Sequence, residues 1–384
     1  MRTLTHYIYH TIQAEQGCIS FAQFMQLALY HPKWGYYNSE NFTIGKQGDF
    51  TTAPELTPLF ARCLAYQCLP IFNQLGHANI LEFGAGTGRL AMDLLSALAT
   101  YDALPAHYYI VEPNLMLQQQ QQTFLQIHCP AHYARCQWLT QLPEQFSGVM
   151  LANEVLDALP VHCFQVQGRH LQERGVGIDL KVNLSTLDQN PFLWQLCAPL
   201  HPQLAEEGAA LIEQYHLVED YQSEICLQLS SFIQTAAKAL TEGVMLLMDY
   251  GYGRAEYYHP QRQQGTLTCF HQHHYHHNPL LLPGQQDITA HVDFTRVIEA
   301  AVLADCTLIG YTSQAAFLLA CGLIDFAEEE IKSLTPVAAF QLQQAIKLLT
   351  WPTEMGERVK VMALGKNIDL PLIGFSKQDR RREL

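Results

Sequence analysis

Short apolar runs alternate with longer amphipathic segments through the middle of the chain. The runs have the length of strands, and the segments between them repeat their apolar positions at helical spacing. The elements predicted in this stretch are, in order, strand Ile80–Phe83, helix Gly88–Ala99, strand Tyr108–Glu112, helix Leu115–Leu125, and strands Tyr133–Leu139 and Val149–Leu151. Strands that alternate with helices in this way predict right-handed β-α-β units and a mainly parallel sheet.

The pattern differs on both sides of this stretch. Before it, Ser20 and Gln23 form a capping box for a helix that should end near Tyr30, because a proline two residues later disfavours helical backbone. A glycine- and aromatic-rich ordered loop follows at 34–50. The other predicted elements are helix Pro54–Phe72, a hairpin of Val161–Gln167 and Glu173–Asp179, helix Tyr221–Leu240, strand Val244–Met248, helix Phe294–Leu303, strand Thr307–Tyr311, helical residues 313–349 and strand Arg358–Leu364. Residues 250–290 are too polar to be predicted as core.

Composition narrows the classes of protein to which the chain can belong. The 384 residues suggest one large elaborated domain or two smaller ones. With 36 Asp and Glu against 22 Lys and Arg, the formal net charge is -14. This acidity argues against a nucleic-acid-binding protein, which needs a basic face, and favours a neutral or cationic partner. No apolar run reaches the ~18–20 residues of a membrane span.

The N-terminus and the cysteines predict a cytoplasmic protein. The opening MRTLTHYIYHTIQAEQG has neither the plan of a secretory signal nor that of an Arg-rich transit peptide. The 11 cysteines are scattered through apolar stretches without a CxxC pair. We therefore expect reduced, mostly buried thiols and no metal site.

The segment LEFGAGTG, residues 81–88, joins a predicted strand to a helix and carries Gly84, Gly86 and Gly88 at alternate positions. Glycine lets the chain turn tightly and lets a ligand approach the backbone. A dinucleotide-binding loop has its third glycine where this chain has Arg89, which disfavours a nicotinamide oxidoreductase. The G-x-G-x-G spacing instead resembles the first motif of class I S-adenosylmethionine methyltransferases. The alternative is an ordinary strand-to-helix turn.

Two acids accompany this loop. Glu112 ends the next strand, where its carboxylate can accept hydrogen bonds from two ribose hydroxyls. Glu82 lies inside the apolar strand that precedes the glycines, an unusual place for an acid. Both are candidate cofactor ligands. The alternative for Glu112 is a surface carboxylate at the end of a strand.

The segment VMLANEVLDALP, residues 149–160, places Asn153 and Glu154 at the end of a strand and Asp157 three residues later. If a helical turn follows, Glu154 and Asp157 share one of its faces. Carboxylates here could clamp a guanidinium bidentately and accept its proton as a methyl group is transferred. Asn153 would suit an amine or amide acceptor. The alternative is that these acids cap the N-terminus of a helix.

Successive blocks along the chain resemble one family. The blocks are GDFTTAPEL (48–56), LEFGAGTGRLAMDLL (81–95), ANEVLDALPVHCF (152–164) and PGQQDITAHVDF (283–294), with further matches from HPKWGYYN (31–38) to MGERVKVMALGK (355–366). They are similar to the MidA-like methyltransferases, which include the mitochondrial complex I assembly factor that methylates an arginine. The resemblance extends over nearly the whole chain, in order.

This resemblance implies a class I methyltransferase fold, an α/β Rossmann-like domain with a seven-stranded, mainly parallel sheet. It implies a helical N-terminal segment (1–74) and an S-adenosyl-L-methionine-binding core (75–254) with a hairpin insertion near 161–180. A cap insertion on the substrate side (255–354), with a return strand near 305–311, and a last core strand with the tail (355–384) would complete the chain.

The resemblance also assigns roles to residues. Thr52, Pro54 and Glu55 would close over the cofactor or substrate, although Glu55 could simply be a first-turn acid that complements a helix dipole. A second block of the family contains Asp287, Thr289 and His291, which imply a role in the active site without specifying it. For His291, a structural histidine is an equal alternative.

The segment HQHHYHH, 271–277, tempts a metal-site interpretation, but we predict a variable loop over the substrate mouth. Our hypothesis is an S-adenosyl-L-methionine-dependent enzyme that methylates an arginine on a cationic segment of a partner protein. A non-catalytic assembly factor that binds the cofactor and a small-molecule methyltransferase remain alternatives. The sequence leaves homodimer formation open.

Overall fold

The computed structural model describes residues 3–39, 48–49, 51–77, 79–179, 181, 190–272 and 274–384. Its α-helices are α1 (Leu4–Ala14), α2 (Phe21–Tyr30), α3 (Ala53–Leu56), α4 (Leu59–Leu75), α5 (Arg89–Thr100), α6 (Leu115–His128), α7 (Pro202–Tyr215), α8 (Leu227–Ala239), α9 (Arg254–Tyr257), α10 (Phe294–Val302), α11 (Gln314–Ala320), α12 (Leu323–Ile331), α13 (Pro336–Thr350) and α14 (Met355–Arg358). Single 3₁₀ turns occur at Tyr36–Asn38, Tyr133–Arg135, Ile373–Phe375 and Arg381–Glu383.

The strands in the same residues are β1 (Cys18–Ile19), β2 (Asn79–Phe83), β3 (His107–Val111), β4 (Cys136–Leu139), β5 (Phe146–Asn153), β6 (His162–Gln167), β7 (His170–Ile178), β8 (Phe192–Cys197), β9 (Gln222–Ile225), β10 (Leu240–Tyr252), β11 (Thr268–His271), β12 (His274–His276), β13 (Asp287–Thr289), β14 (Val292–Asp293), β15 (Thr307–Ser313) and β16 (Val359–Lys366). They belong to two compact units. Unit 1 comprises Met1–Phe50, Asp157–Leu229 and Arg254–His291, and unit 2 comprises Thr51–Leu156, Ser230–Gly253 and Val292–Leu384.

Unit 2 contains the sheet that the alternating pattern predicts. Within the described residues its main path has seven strands in the order β4-β3-β2-β5-β10-β16-β15, and β14 pairs in parallel with the end of β10. The contacts from β4 through β10 are parallel, whereas β16 runs antiparallel to both of its neighbours. The expected α/β fold, with a seven-stranded and mainly parallel sheet, is confirmed.

The central strands of this sheet are buried on both faces. In β10, alternate residues such as Val244 and Leu246 join the core cluster that also holds residues of α4 and α5. The residues between them, such as Met245 and Leu247, are fully buried on the opposite face. A strand covered on both sides gains from apolar residues at every position, which explains why these strands are uninterrupted apolar runs.

Unit 1 is built on antiparallel strands. Strands β1, β7, β6 and β9 pair in that order, and β8 pairs with β7. A second sheet has the order β12-β11-β13. Helix α2 packs in this unit and begins as predicted, with the Ser20 hydroxyl accepting a hydrogen bond from the backbone N–H of Gln23. The helix ends at Tyr30, again as predicted.

The four sequence ranges expected from the resemblance are divided differently by the two units. Helices α1 and α2 of the range 1–74 belong to unit 1, whereas α3 and α4 belong to unit 2. The hairpin β6–β7 and the sheet of β11, β12 and β13 lie together in unit 1, although they come from different predicted ranges.

Several predictions of local structure are wrong in part. The strand predicted over Tyr133–Leu139 begins only at Cys136, because residues 133–135 form a 3₁₀ turn. The helix predicted over Tyr221–Leu240 starts only at Leu227, because residues 222–225 form β9 and pair with β6. The helix predicted over Pro54–Phe72 is interrupted between α3 and α4, where Thr57 has extended backbone ahead of Pro58. Residues 250–290, predicted to be too polar for a core, contribute buried residues of β11 and β13 to the core of unit 1.

Residues 40–47 and 50 of the predicted glycine-rich loop lie outside the described residues, as does His273 of the histidine cluster. Within the helices that the structure describes, none combines the length and the apolar character that crossing a bilayer requires.

Candidate functional site

The glycine loop leaves β2 in a conformation that requires glycine. Gly84, Gly86 and Gly88 have φ angles of 57°, 54° and 86°, the left-handed region that other residues adopt only at a cost. Gly88 is the N-cap of α5, and the backbone N–H of Gly84 donates to the carbonyl of Val111. The sequence prediction of a tight strand-to-helix turn is confirmed, and the turn lies at the carboxyl end of a central strand.

The short helix α3 lies against this loop. The hydroxyl of Thr87 donates to the Glu55 carboxylate at 2.5 Å. Thr52 is the N-cap of α3, and Pro54 is buried in its first turn. Glu55 therefore occupies the first turn of a helix, as its alternative interpretation held, and at the same time holds the glycine loop.

Glu112 follows β3 and is only 5% exposed, so the alternative of a surface carboxylate is excluded. Its Oε1 accepts from the backbone N–H of Asn114 at 3.0 Å, and its Oε2 accepts from Gln121 Nε2 at 3.3 Å. Burial raises the pKa of Glu112, and these two donors oppose that shift. Gln121 was not among the predicted site residues, because nothing in the sequence distinguishes one glutamine of the run on α6 from the others.

Glu82 has a different environment. It is 3% exposed, and its carboxylate accepts a hydrogen bond from the phenol of Tyr108 at 2.8 Å, inside the core of unit 2. Burial raises the pKa of Glu82 to about 7. Its predicted contact with a cofactor stays a prediction, since the contact that the structure describes is with a core tyrosine.

Glu154 follows β5 in a left-handed conformation, with φ of 52°, which is uncommon for a residue with a side chain. Its Oε1 accepts from the backbone N–H of Ala53, the first residue of α3, and from Asn153 Nδ2, both at 3.1 Å. The alternative that this acid caps a helix is therefore correct in one respect, since Glu154, which follows β5, accepts a hydrogen bond from the first N–H of α3. The same contact fixes where its carboxylate lies.

Asp249, on the neighbouring strand β10, holds this turn in place. Its Oδ2 accepts from the backbone N–H groups of Val155 at 3.1 Å and of Leu156 at 2.8 Å, and the carboxylate is 1% exposed. Asp249 was not among the site residues predicted from the sequence. An acid in an otherwise apolar strand is the signal that could have found it.

The helical turn on which a shared face for Glu154 and Asp157 depended is absent, since residues 154–157 are not helical. The left-handed Glu154 turns the chain, so the two acids do not share a helix face. Asp157 begins a segment of unit 1, where it is buried and its backbone carbonyl accepts from the N–H of Ala290. A catalytic role for Asp157 stays a prediction.

The described residues fit the cofactor that the resemblance implies. Strands β3 and β5 flank β2 in the sheet, so Glu112 and Asn153 lie on either side of the glycine loop at its carboxyl edge. The Oδ1 atom of Asn153 is buried and has no hydrogen-bond partner in the part of the chain that the structure describes. Acceptors on both sides of a loop with three glycines suit a ligand that carries ribose hydroxyls and an ammonium group.

The second predicted block, Asp287 to His291, lies in unit 1. Asp287 is 2% exposed and accepts a hydrogen bond from the phenol of Tyr37 at 2.7 Å, and burial raises its pKa to about 6. The Thr289 hydroxyl donates to the carbonyl of Thr268, and the backbone N–H of His291 donates to the hydroxyl of Thr266. These contacts organise β11 and β13, and the predicted role of the block in the active site stays a prediction.

The histidine cluster forms part of a hairpin. His271 and His277 each place Nδ1 on a different backbone carbonyl, of Gln285 and Leu267. Among the described residues, no group of three or more His, Cys, Asp or Glu side chains is arranged to hold a metal ion.

Comparisons with known proteins agree with this geometry. A family model described as S-adenosyl-L-methionine-dependent methyltransferase matches residues 63–312. The mitochondrial protein arginine methyltransferase NDUFAF7 of Danio rerio is 27% identical over 403 aligned residues, which cover 94% of this chain and 89% of the relative. Its Homo sapiens counterpart is 28% identical and covers 91% of this chain and 80% of its own.

A solved structure is similar over the whole length. It is a crystal structure from Burkholderia thailandensis of a protein described as a methyl transferase and bound to S-adenosyl-homocysteine. It is 37% identical, covers 99% of this chain and 96% of its own, and has a TM-score of 0.91. The family expected from the sequence is confirmed, as are the cofactor and the class of enzyme. The chain belongs to the S-adenosyl-L-methionine-dependent methyltransferases.

Proposed function

We propose that this methyltransferase modifies the guanidinium group of an arginine in a partner protein. The named relatives are protein arginine methyltransferases, and they align with nearly the whole of this chain. The observation that carries the proposal is the Glu154 carboxylate, held by two donors at the end of β5, next to the glycine loop of β2.

The chemistry of a guanidinium explains why a carboxylate is needed. The group is protonated at any ordinary pH, and its nitrogens present N–H bonds rather than a free lone pair. S-adenosyl-L-methionine, when bound, supplies a methyl group on a positively charged sulfur. As the new N–C bond forms and the S–C bond breaks, the attacking nitrogen loses one proton, and we assign Glu154 as the group that accepts it.

The protein holds this carboxylate still before any substrate binds. The N–H of Ala53 and the side chain of Asn153 both act on its Oε1, and Asp249 fixes the following two backbone N–H groups. A base held in this way is already oriented, so less ordering is required when the acceptor arrives. We propose Asn153 as the residue that orients Glu154.

The same proposal assigns the cofactor site. Gly84, Gly86 and Gly88 would leave space for the cofactor along the backbone, and Glu112 would accept hydrogen bonds from the ribose hydroxyls. Glu55 would stabilise the loop through Thr87. The acidic net charge would steer a cationic segment of the partner toward the enzyme. The two NDUFAF7 relatives are named as mitochondrial, and a cytoplasmic location and a homodimer stay predictions for this chain.

The test is transfer of an isotope-labelled methyl group from the cofactor to proteins of a native cell extract, followed by mass spectrometry. We expect the label on an arginine of one or a few proteins. A Glu154→Gln variant, which keeps the size of the side chain, is the matched control and should leave those arginines unlabelled. Label on another residue type, or only on a small molecule, would contradict the proposal.

A further inference from the structure

We propose that Gln121 is a positioning residue for the cofactor, which aims the Glu112 carboxylate and ties it to the glycine loop. The inference rests on the assignment of Glu112 to the ribose under the proposed function. Gln121 lies on α6, is completely buried, and touches both parts of the assigned cofactor site.

The contacts of Gln121 use every polar atom of its side chain. Its Nε2 donates to the backbone carbonyl of Gly86 at 3.0 Å and to Glu112 Oε2 at 3.3 Å. Its Oε1 accepts from the indole N–H of Trp138 at 3.0 Å. One side chain therefore connects the middle glycine of the loop, the acid after β3 and the strand β4.

Trp138 determines which way the amide faces. An indole N–H can only donate, so the amide oxygen must face Trp138 and the NH₂ group must face Gly86 and Glu112. Both hydrogens of that NH₂ group then have acceptors. An isosteric glutamate could not make this arrangement, because an ionised carboxylate has no donor to offer to either acceptor.

The helix presents several polar groups to Glu112 from one side. Asn114, Gln118 and Gln121 follow the i, i+4, i+7 spacing of one helix face. The N–H of Asn114 acts on Oε1, Gln121 acts on Oε2, and Gln118 Nε2 donates to the backbone carbonyl of Glu112 at 2.6 Å. With one donor on each oxygen, the plane of the carboxylate is fixed, and Gln121 supplies the half that faces the glycine loop.

Loss of Gln121 should therefore weaken binding of the cofactor, because Glu112 would no longer be held in place. Without the amide donor the carboxylate can rotate, and its hydrogen bonds to two ribose hydroxyls lose their alignment. The pKa of Glu112, which burial already raises, should rise further because one of the groups that lowers it is removed.

The experiment is calorimetric titration of the purified protein with S-adenosylhomocysteine and with its 2′,3′-dideoxyribose analogue. For Gln121→Met, which keeps the length of the side chain without its donor, we expect about tenfold weaker binding of S-adenosylhomocysteine. The analogue lacks the hydroxyls that Glu112 would accept, so its affinity should change less than about twofold. Gln120→Met, on the exposed side of the same helix, is the control and should bind both ligands as the wild type does.

A second variant and a double variant keep the test decisive. Gln121→Glu should bind S-adenosylhomocysteine at least as weakly as Gln121→Met, and its thermal melting reports whether the fold survives. In a Glu112→Gln background, Gln121→Met should cause no further loss. Equal losses for both ligands, or additive losses in the double variant, would overturn the role proposed for Gln121. If Glu112→Gln alone binds S-adenosylhomocysteine as the wild type does, the ribose assignment itself fails.

Discussion

Two loops at the carboxyl edge of the same sheet both contain left-handed backbone, but different types of residue adopt it. The loop after β2 turns through three left-handed glycines, whereas the loop after β5 turns through a left-handed glutamate, Glu154. The two loops touch, because a Cβ atom placed on Gly84 would lie 3.4 Å from Cγ2 of Val155. At the left-handed positions of the first loop the side chains are absent, whereas in the second loop a side chain is kept at a backbone conformation that disfavours it.

The difference follows from what each loop offers to a ligand. A cofactor that lies along the backbone needs space, which glycine provides without strain. A base needs a carboxylate at a fixed place, so the strain of a left-handed glutamate is accepted and offset elsewhere. The buried carboxylate of Asp249 offsets it through two hydrogen bonds to backbone N–H groups of the same turn.

Filling the glycine loop should have the largest effect. Gly84→Val puts a β-branched residue at φ of 57° and places its Cβ atom 3.4 Å from Cγ2 of Val155. We expect at least about 100-fold weaker binding of S-adenosylhomocysteine by calorimetry, because the added methyl groups would occupy the space along the backbone that the cofactor needs. Gly76→Val is the control, since Gly76 also has positive φ but open space around its Cβ position. Normal binding by Gly84→Val would mean that the loop does not approach the cofactor.

The acid that precedes the glycine loop should matter for stability rather than for the cofactor. Burial raises the pKa of Glu82 from 4.5 to about 7, so the folded state holds its proton more tightly than the unfolded state does. This contribution is fully present below pH 4.5 and is lost as the pH rises to about 7, a change of about 3 kcal/mol in the free energy of unfolding.

Urea unfolding of Glu82→Gln at pH 4.5 and pH 8 measures this directly. Glutamine cannot ionise, so the stability of the variant relative to wild type should increase by about 3 kcal/mol between the two pH values. Its affinity for S-adenosylhomocysteine should match that of the wild type. A large loss of affinity, with no change in the pH dependence of stability, would indicate instead that Glu82 contacts the cofactor.

Weakening the support of the second loop should have a smaller effect. In Asp249→Asn the charged acceptor of the Val155 and Leu156 N–H groups is replaced by a neutral amide. We expect a loss of about 2 kcal/mol in the free energy of unfolding, together with slower methyl transfer. Cofactor affinity should stay within a factor of about two. A fall in affinity without a fall in the transfer rate would contradict the assignment of cofactor binding to the loop after β2 and of the base to the loop after β5.

Adding a Cβ atom to the first loop and removing one from the second should change the stability of the protein in opposite directions. Gly84→Ala should destabilise the protein by about 1 kcal/mol, because alanine is strained at positive φ. Conversely, Glu154→Gly should be more stable than Glu154→Ala by about 1 kcal/mol, since these two variants differ only in the strained Cβ. Chemical denaturation of the three variants gives both values. Equal stability of Glu154→Gly and Glu154→Ala would show that the turn is not strained.

The sequence predicted the parts of the molecule that depend on local pattern. Strand β2, helix α5 and their glycine turn were predicted within one or two residues, because apolar period and glycine spacing are visible in the chain itself. The hairpin of β6 and β7 was also predicted, although β7 begins at His170, three residues before its predicted start.

The parts that the sequence did not predict depend on distant partners. Strand β9 buries Ser223 and Glu224, polar residues that pattern reasoning places on a surface helix, and Glu224 is satisfied by Thr266 from another part of the chain. The left-handed turn at Glu154 depends on Asp249, almost a hundred residues later. Gln121 has glutamine neighbours in the sequence, and only its contacts with Trp138 and Gly86 in the structure distinguish it from them.

The most direct test of the central claim is the initial rate of labelled methyl transfer to the acceptor protein by Glu154→Gln at saturating cofactor. We expect the rate to fall by about 10²–10⁴, because the group that accepts the proton is removed. The dissociation constant of S-adenosylhomocysteine should stay within a factor of about two of the wild-type value, because the glycine loop and Glu112 are unchanged. An unchanged transfer rate would contradict the account, and Glu154 would then have no part in the chemistry.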